Sequence, residues 1–279
     1  MPRYDLHCHS TASDGLLAPA DVVRRAASRG VDVLALTDHD DTAGLAAAAE
    51  AARELGGALR LIPGAELSVS WEDITRHVIG LGIDADHAEL ATGLEVIRSG
   101  RDARARRIAV SLEAAGIPGA WEGALAHVTS ERLVSRAHFA RFLVEAGYAK
   151  STHEVFKRYL TAGNPGYVRH AWAELAQAIG WIHAAGGVAV LAHPGRYRVA
   201  AEGGMRRLLG EFRDRGGDAL EVLSPSHDAA QVATFASHAR AFGLLASCGS
   251  DFHGPNEGHL DLGDLPPLPA GLAPVWSRF

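Results

Sequence analysis

Asp5-Leu-His-Cys-His-Ser, residues 5–10, sets two histidines two positions apart at the end of a short strand-like run that begins at Arg3. Side chains alternate across an extended strand, so His7 and His9 share one face while Leu6 and Cys8 share the other. The spacing returns near the far end of the chain, where Ser-Asp-Phe-His puts Asp251 and His253 after the apolar run 244–247. Between these pairs come Asp14, His39 within Asp38-His39-Asp40, Glu66, His77, and His193 in Ala-His-Pro-Gly. Imidazoles and carboxylates in this mixture suit borderline transition-series cations, and the lack of cysteine ligands argues against a structural zinc knot. One His-X-His is weak, because half-buried histidines that only hydrogen-bond are common. Six histidines and three acids, each expected at a strand end in a polar break, read as a catalytic polynuclear metal site. Asp40 or Asp41 is expected to cap the helix starting near Thr42, and Asp38 to orient a ligand or hold a loop. His87, His127, His153, His183, His227, His238 and His259 read as surface or core histidines.

Working outward, β-like runs alternate with amphipathic helical stretches, the pattern of βα units on a parallel sheet. Strands are expected at 3–7, 31–37, 59–70, 76–83, 188–192, 219–223 and 244–247. Helices are expected from Pro19 to near Gly30 and at 42–55, 174–185, about 204–215 and 228–242. Candidate ligands at the carboxyl ends of successive strands define the active face of a β/α barrel. If the hairpin joining 59–70 to 76–83 centres between Trp71 and Glu72, then Glu66 and His77 lie directly opposite one another. From about His87 to Leu160 the sequence is helical in period and carries no metal-type motif, and Gly163-Asn-Pro-Gly closes it with a turn. The fold class is therefore α/β, with a barrel domain from 1–86 and 167–279 and a helical insertion, 87–166, folded over the barrel mouth as a substrate cap.

Composition sets outer limits. With 279 residues and 47% apolar content, one large domain carrying an insertion is as reasonable as two domains. A formal charge of -6 gives no general basic surface for long nucleic acid, although local basic clusters can hold a small anion. Cys8 and Cys248 are the only cysteines, which is no disulfide framework, and a reduced cytoplasmic setting is expected. No leader-like stretch and no run of about 18 uncharged apolar residues points to a membrane.

Asp5-Leu-His-Cys-His-Ser, Thr37-Asp-His-Asp, Gly64-Ala-Glu, His77, Ala192-His-Pro-Gly and Gly249-Ser-Asp-Phe-His together resemble the PHP (polymerase and histidinol phosphatase) family over essentially the whole chain. The resemblance implies a distorted seven-stranded (β/α)7 barrel of PHP type holding two or three divalent ions, usually manganese, iron or zinc. By position the ligands would be His7, His9, Asp14, His39, Glu66, His77, His193, Asp251 and His253. Asp14 departs from the pattern, since many members carry histidine there. Ser135-Arg-Ala-His-Phe-Ala-Arg and Tyr159-Leu-Thr-Ala-Gly-Asn-Pro-Gly-Tyr-Val are similar to the subgroup that dephosphorylates nucleoside 3′,5′-bisphosphates, whose relatives also trim RNA from the 5′ end. Members of that subgroup often carry lysine where this chain has Asn164.

The residues of the insertion agree with this expectation. Ser135, Arg136 and His138 sit close together after an expected loop (128–131) and could reach one phosphate, with Arg supplying a bidentate fork and Ser a neutral donor. The bland alternative makes Arg136 and Arg141 a solvated helix face, as Lys157 and Arg158 read. Arg196, just beyond His193, would stand at the edge of the metals. The expected reaction is phosphomonoester hydrolysis by a metal-bridging hydroxide, with His193, Asp251 and Arg196 as catalytic residues. Arg196 would grip the phosphate being cleaved, and Ser135, Arg136, His138 and Asn164 the second phosphate of a small nucleotide. The competing activity is 5′-to-3′ hydrolysis of short 5′-phosphorylated RNA. A histidinol-phosphate phosphatase is disfavoured by Asp14 and the basic insertion, and a non-enzymatic metal-stabilised domain by the intact ligand set.

Overall fold

Among the described residues eight strands form the sheet, seven of them in one continuous path in the order β1-β2-β3-β4-β6-β7-β8. They are β1 (Tyr4–Asp5), β2 (Val33–Leu36), β3 (Arg60–Trp71), β4 (Ile74–Leu81), β5 (Ala173–Glu174), β6 (Val188–Leu191), β7 (Ala219–Leu223) and β8 (Leu245–Cys248). The short β5 lies off this path against β3. The computed structural model describes residues 2–72, 74–129, 133–197 and 203–279, together with the helical backbone of 201 and 202. The path closes on itself through backbone bonds from Leu6 N to Cys248 O (3.0 Å), Asp251 N to His7 O (2.8 Å) and His9 N to Phe252 O (2.8 Å). Both ends of the sequence motif set thus meet at one seam.

The sheet is mixed, not parallel throughout. β3 pairs antiparallel with β4, and β4 antiparallel with β6, while the other neighbours in the path run parallel. A tight hairpin reverses the chain after β3, so β4 enters the barrel from its mouth. The hairpin register also differs from expectation. Trp71 faces Ile74, which sets Glu66 opposite Ile79 and His77 opposite Ser68, a slip of two residues. A slip of two keeps both side chains on the interior face, whereas a slip of one would have lost the pair.

Alternation along the strands gives two buried faces. Inward residues Leu6, Val33, Ala35, Ile62, Ile79, Leu81, Val190, Ala192 and Ala219 fill the barrel below the mouth. Tyr4 and Trp276 stack with centroids 4.0 Å apart as part of the same cluster. Outward residues such as Leu34 and Leu36 pack on α1 (Pro19–Ser28) and α2 (Leu45–Glu54). Pro19 at the first turn suits the start of α1, because its missing N–H would have had no partner there.

Among the described residues four α-helices intervene between β4 and β5, namely α3 (Ala88–Ala114), α4 (Ala120–Leu125), α5 (Arg136–Glu145) and α6 (Thr152–Val155), and α6 runs on into a π-helical turn, Phe156–Leu160. The long α3 serves two cores. Leu90, Leu94 and Ile97 pack on the barrel with α7 (Leu175–Ala184), whereas Ile108, Ala109 and Leu112 pack on Phe139, Leu143 and Leu160. The packing boundary therefore lies inside α3, not at its start. The last helices, α8 (Ala201–Asp214) and α9 (Ala229–Phe242), flank β7. The loop expected at 128–131 lies partly outside the described residues. Among the described residues no helix is long and apolar enough to cross a membrane.

Phe139 is fully buried in the helical cluster. Phe139→Ala is expected to cost about 3–5 kcal/mol in urea unfolding. Amide exchange should quicken first in α5 and the second half of α3; uniform quickening across the barrel strands would show that the two cores open as one.

Candidate metal centre

The nine side chains read from the sequence converge at the barrel mouth. His7 and His9 leave β1 on one face, His39 and His193 follow β2 and β6, and Asp251 and His253 follow β8. Glu66 and His77 are not at strand ends. They project from within the long β3–β4 hairpin, because an antiparallel β4 presents its first half to the mouth. The backbone bends sharply here: Asp40 (φ 50), His193 (φ 27) and Asp251 (φ 48) all adopt positive φ. Non-glycine residues hold such angles only where the surroundings over-determine them. At position 249 only glycine fits, since a Cβ would lie 2.1 Å from His7 Cβ and 2.8 Å from a Glu221 oxygen.

Glu66 lies at the centre and is fully buried. One of its oxygens is 2.9 Å from His193 Nε2, 3.0 Å from His77 Nδ1 and 3.3 Å from His7 Nε2. The other is 2.8 Å from His39 Nδ1 and 3.4 Å from His9 Nε2. Asp251 Oδ1 lies 3.2 Å from His9 Nε2 and 3.4 Å from His7 Nε2, and Asp14 Oδ1 lies 3.5 Å from His253 Nε2. Four groups of donor atoms are close enough to share a cation: His9–Asp14–His39–His253, His7–Glu66–His193, His7–His9–Asp251 and His39–Glu66–His77.

These donors fit divalent ions. Bonds of about 2.0–2.2 Å at ordinary coordination angles put neighbouring ligand atoms about 3.0–3.5 Å apart. Ring nitrogens face each other at 3.2 Å (His9 and His7) and 3.3 Å (His77 and His193). His39 Nδ1 and one Glu66 oxygen sit 2.8 Å apart, yet both are buried without a hydrogen bond. Buried polar atoms are seldom left in that state, and a cation between them satisfies both.

The electrostatics agree. Burial alone would raise Glu66, but His77, His39, His7 and His193 hold it well below the usual carboxylate range. Asp251 is likewise held low against burial, first by Arg196, and Asp14 by His39 and His253. Burial pushes His193 down to about 3, with Arg196 adding, and pushes His39 down to about 4. Both rings are therefore neutral lone-pair donors at neutral pH. Burial works against a charge on His7, but Glu66, Glu221 and Asp251 overcome it and raise its pKa, marking a place where positive charge is wanted.

The PHP domain profile matches residues 5–201. The chain belongs to the PHP domain family. It is 50% identical over 279 residues to a 3′,5′-nucleoside bisphosphate phosphatase of Chromobacterium violaceum, covering 100% of this chain and 97% of that protein. It is 48% identical to the 5′-3′ exoribonuclease Rnm of Salmonella typhimurium, covering 99% of this chain and 93% of that protein. A solved structure of an amidohydrolase from Chromobacterium violaceum, with bound sulfate and no metal, superposes with a TM-score of 0.94 at 49% identity. It covers 99% of this chain and 95% of that one.

Around the PHP centre stands a ring of residues that sequence reasoning placed incompletely. Asp38 accepts from Ser10 N (2.7 Å), Ser10 Oγ (2.7 Å) and Ser13 Oγ (2.6 Å), so it holds the loop after His9. Asp41 caps the turn before α2 through Ala43 N, whereas Asp40 accepts from Ser68 and pairs with Arg101 of α3. Arg141 is buried, bonds Asp14 O and forks onto Glu257, so it is no solvated face. Tyr197 hydroxyl accepts from His77 N at 2.9 Å. Glu221, missed altogether, is a fully buried carboxylate within β7. Its signal was present as the one charge inside Ala-Leu-Glu-Val-Leu.

The expected phosphate residues divide. Arg196 pairs with Asp251 while its side chain stays 45% exposed, at the edge of the centre. Ser135 caps α5, its oxygen accepting from Ala137 N, and His138 Nδ1 accepts from Ser135 N. Asn164 spends its amide on Lys157 O and Thr161 Oγ1, closing its own turn. Arg136 has Arg101 and Arg196 among its electrostatic neighbours.

His138 yields a pH prediction. Burial, then Arg141, pushes it down to about 4 in the folded protein. The unfolded chain takes up that proton near pH 6.5. Between those values the unfolded state binds more protons, so stability falls as pH drops below about 6.5. His138→Gln should make the urea midpoint of metal-free protein less pH-dependent between pH 7 and 4, by up to about one proton. An unchanged slope would show that His138 is already charged when folded.

Proposed function

We propose that this chain removes the 3′-phosphate from nucleoside 3′,5′-bisphosphates, using two or three divalent ions held by His7, His9, Asp14, His39, Glu66, His77, His193, Asp251 and His253. Mixed nitrogen and oxygen donors suit manganese, iron or zinc. The likeness to the bisphosphate phosphatase runs the length of both proteins. The reduced Cys8 and Cys248 fit work in the cytoplasm.

The observation that carries the substrate reading is a crowd of arginines beside the centre. Arg104 is buried against Trp172, with its Nε bonded to Val168 O. Burial pushes its pKa down to about 9, helped by Arg136 and Arg101, and Tyr167 and Arg107 are its next electrostatic neighbours. None of those four is a carboxylate. Arg136 is lowered likewise, by burial and Arg101. Gathering like charges in a half-buried place costs free energy that an anion recovers. The second phosphate therefore belongs with Arg136 and Arg104, assisted by the Ser135 hydroxyl as a neutral donor. His138 and Asn164 shape the loops around that phosphate without gripping it.

Bound divalent ions supply an activated water and positive charge at the phosphoryl oxygens. The chain does the rest. Glu66 holds His7, His39, His77 and His193 in place, and Arg196 neutralises charge on the phosphoryl group being transferred. Arg136 and Arg104 grip the remote phosphate, which orients the 3′-phosphate toward the centre. The exoribonuclease relative favours a second activity on the same pocket, with the 5′-terminal phosphate of short RNA taking the place of the nucleotide 5′-phosphate.

Phosphate release by the manganese-loaded protein should be at least tenfold more efficient with adenosine 3′,5′-bisphosphate than with 3′-AMP. Arg136→Ala and Arg104→Ala should each lower kcat/KM for the bisphosphate by about 10- to 100-fold, the worth of one charge-assisted hydrogen bond. Their losses on 3′-AMP should be much smaller. Equal wild-type efficiency on the two substrates would overturn the two-phosphate reading. Digestion of 5′-phosphorylated but not 5′-hydroxyl oligonucleotides would support the second activity.

A further inference from the structure

We propose that Glu221 is a positioning residue that dictates which nitrogen of His7 meets the ions and anchors the backbone of His193. This role rests on the reading of the mouth as a metal centre. One Glu221 oxygen lies 3.0 Å from His7 Nδ1, and the other accepts from His193 N at 2.6 Å. Both oxygens face nitrogen, and Glu221 belongs to none of the donor groups that could share a cation. It acts through the ligands instead.

The chemistry follows from donor and acceptor counting. A carboxylate only accepts, so the His7 nitrogen facing it must carry the proton. Nε2 is then the only nitrogen of His7 whose lone pair an ion can take, and it points at Glu66 and Asp251, 3.3 and 3.4 Å away. A proton at Nε2 would fill the space where an ion belongs. The second oxygen works on a different problem. His193 sits at φ 27, a strained angle for a β-branch-free but bulky side chain, and its N–H needs an acceptor inside the barrel. One buried carboxylate thus settles two ligands that lie far apart in the sequence.

The local fold is shaped to place it. Register between β7 and β8 slips between Glu221 and Leu223, a bulge that re-aims side chains at the barrel mouth. Gly249 leaves the room that Glu221 and His7 occupy, since a Cβ there would strike both. Ala219, two positions earlier, faces the apolar interior, so Glu221 is the first polar layer above it.

Glu221→Gln tests the role because it keeps the shape and removes one acceptor. If its amide NH2 faces His7, the ring must accept at Nδ1 and carry its proton on Nε2. If the amide turns round, two N–H donors oppose each other at His193. Metal affinity should fall about 10- to 100-fold, measured by chelator competition. Glu221→Asp, which keeps two acceptors, should recover part of that loss. In cadmium-loaded wild-type protein with nitrogen-labelled histidine, NMR should show His7 bound through Nε2 with its proton on Nδ1. Binding through Nδ1 overturns the proposal even if the Gln variant fails to fold, and so does a folded Gln variant that holds metal as tightly as wild type. A wild-type protein that takes up no divalent ion overturns the metal centre itself, a result separate from either of these.

Discussion

A single carboxylate holds the mouth of this barrel together. Glu66 is fully buried, and five histidines from four separate chain segments approach its two oxygens within 2.8–3.4 Å. A charge in that position is tolerable only with compensation on every side. The strands are arranged so that each supplies part of it. Seam closure between Leu6 and Cys248 brings His7 and His9 to Glu66, and the antiparallel turn of β4 brings His77. Without a cation the cluster still compensates Glu66 through protons on neighbouring imidazoles, which is why its pKa is held low and that of His7 is drawn upward. Metal binding replaces those protons, so loading and protonation compete for the same donor atoms.

Much of this was legible in the sequence, and for an identifiable reason. Ligand residues interrupt apolar runs, so polarity marks them where nothing in the core asks for polarity. His39 and His193 stand just after the runs that become β2 and β6, and Asp251 and His253 just after β8. Residue pairing was less legible. The Glu66–His77 register was off by two because Glu72, at φ 49, takes the bend one position later than composition implied. The hairpin reversal at β4 was legible, but its antiparallel pairing with β6 was not, since a strand in a mixed sheet has the same apolar period whichever way it runs.

The surrounding residues were least legible, because their partners are remote in sequence. Glu221 looks like an odd charge in a strand until His7 is seen beside it. Arg101 and Arg104 look like ordinary charges of a long helix, yet one neutralises Asp40 and the other faces more arginines. Ser135 and His138 were read for their chemistry, but the same pattern is also a helix-start signal, and in the folded chain they cap α5. Asn164 has a similar ambiguity: in a Gly-Asn-Pro-Gly turn a side-chain amide serves the turn first.

The helical segment is tied to the centre at two points, and that has a consequence for how catalysis and substrate choice are linked. Arg101 of α3 reaches Asp40, beside His39, while Arg141 of α5 bonds the backbone of Asp14. The helices that carry Arg104 and Arg136 are thus the same ones that fix the positions of two candidate ligands. On the proposed reading, substrate charge on those arginines and metal charge on Asp14 and His39 would act on one connected framework of buried polar contacts. A change in the proposed phosphate pocket would therefore also act on an ion held by Asp14, and a nucleotide gripped through two phosphates would gain from both effects at once. That coupling gives the insertion a reason to be built as a long helix rooted in the barrel wall, with its own core only in the distal half.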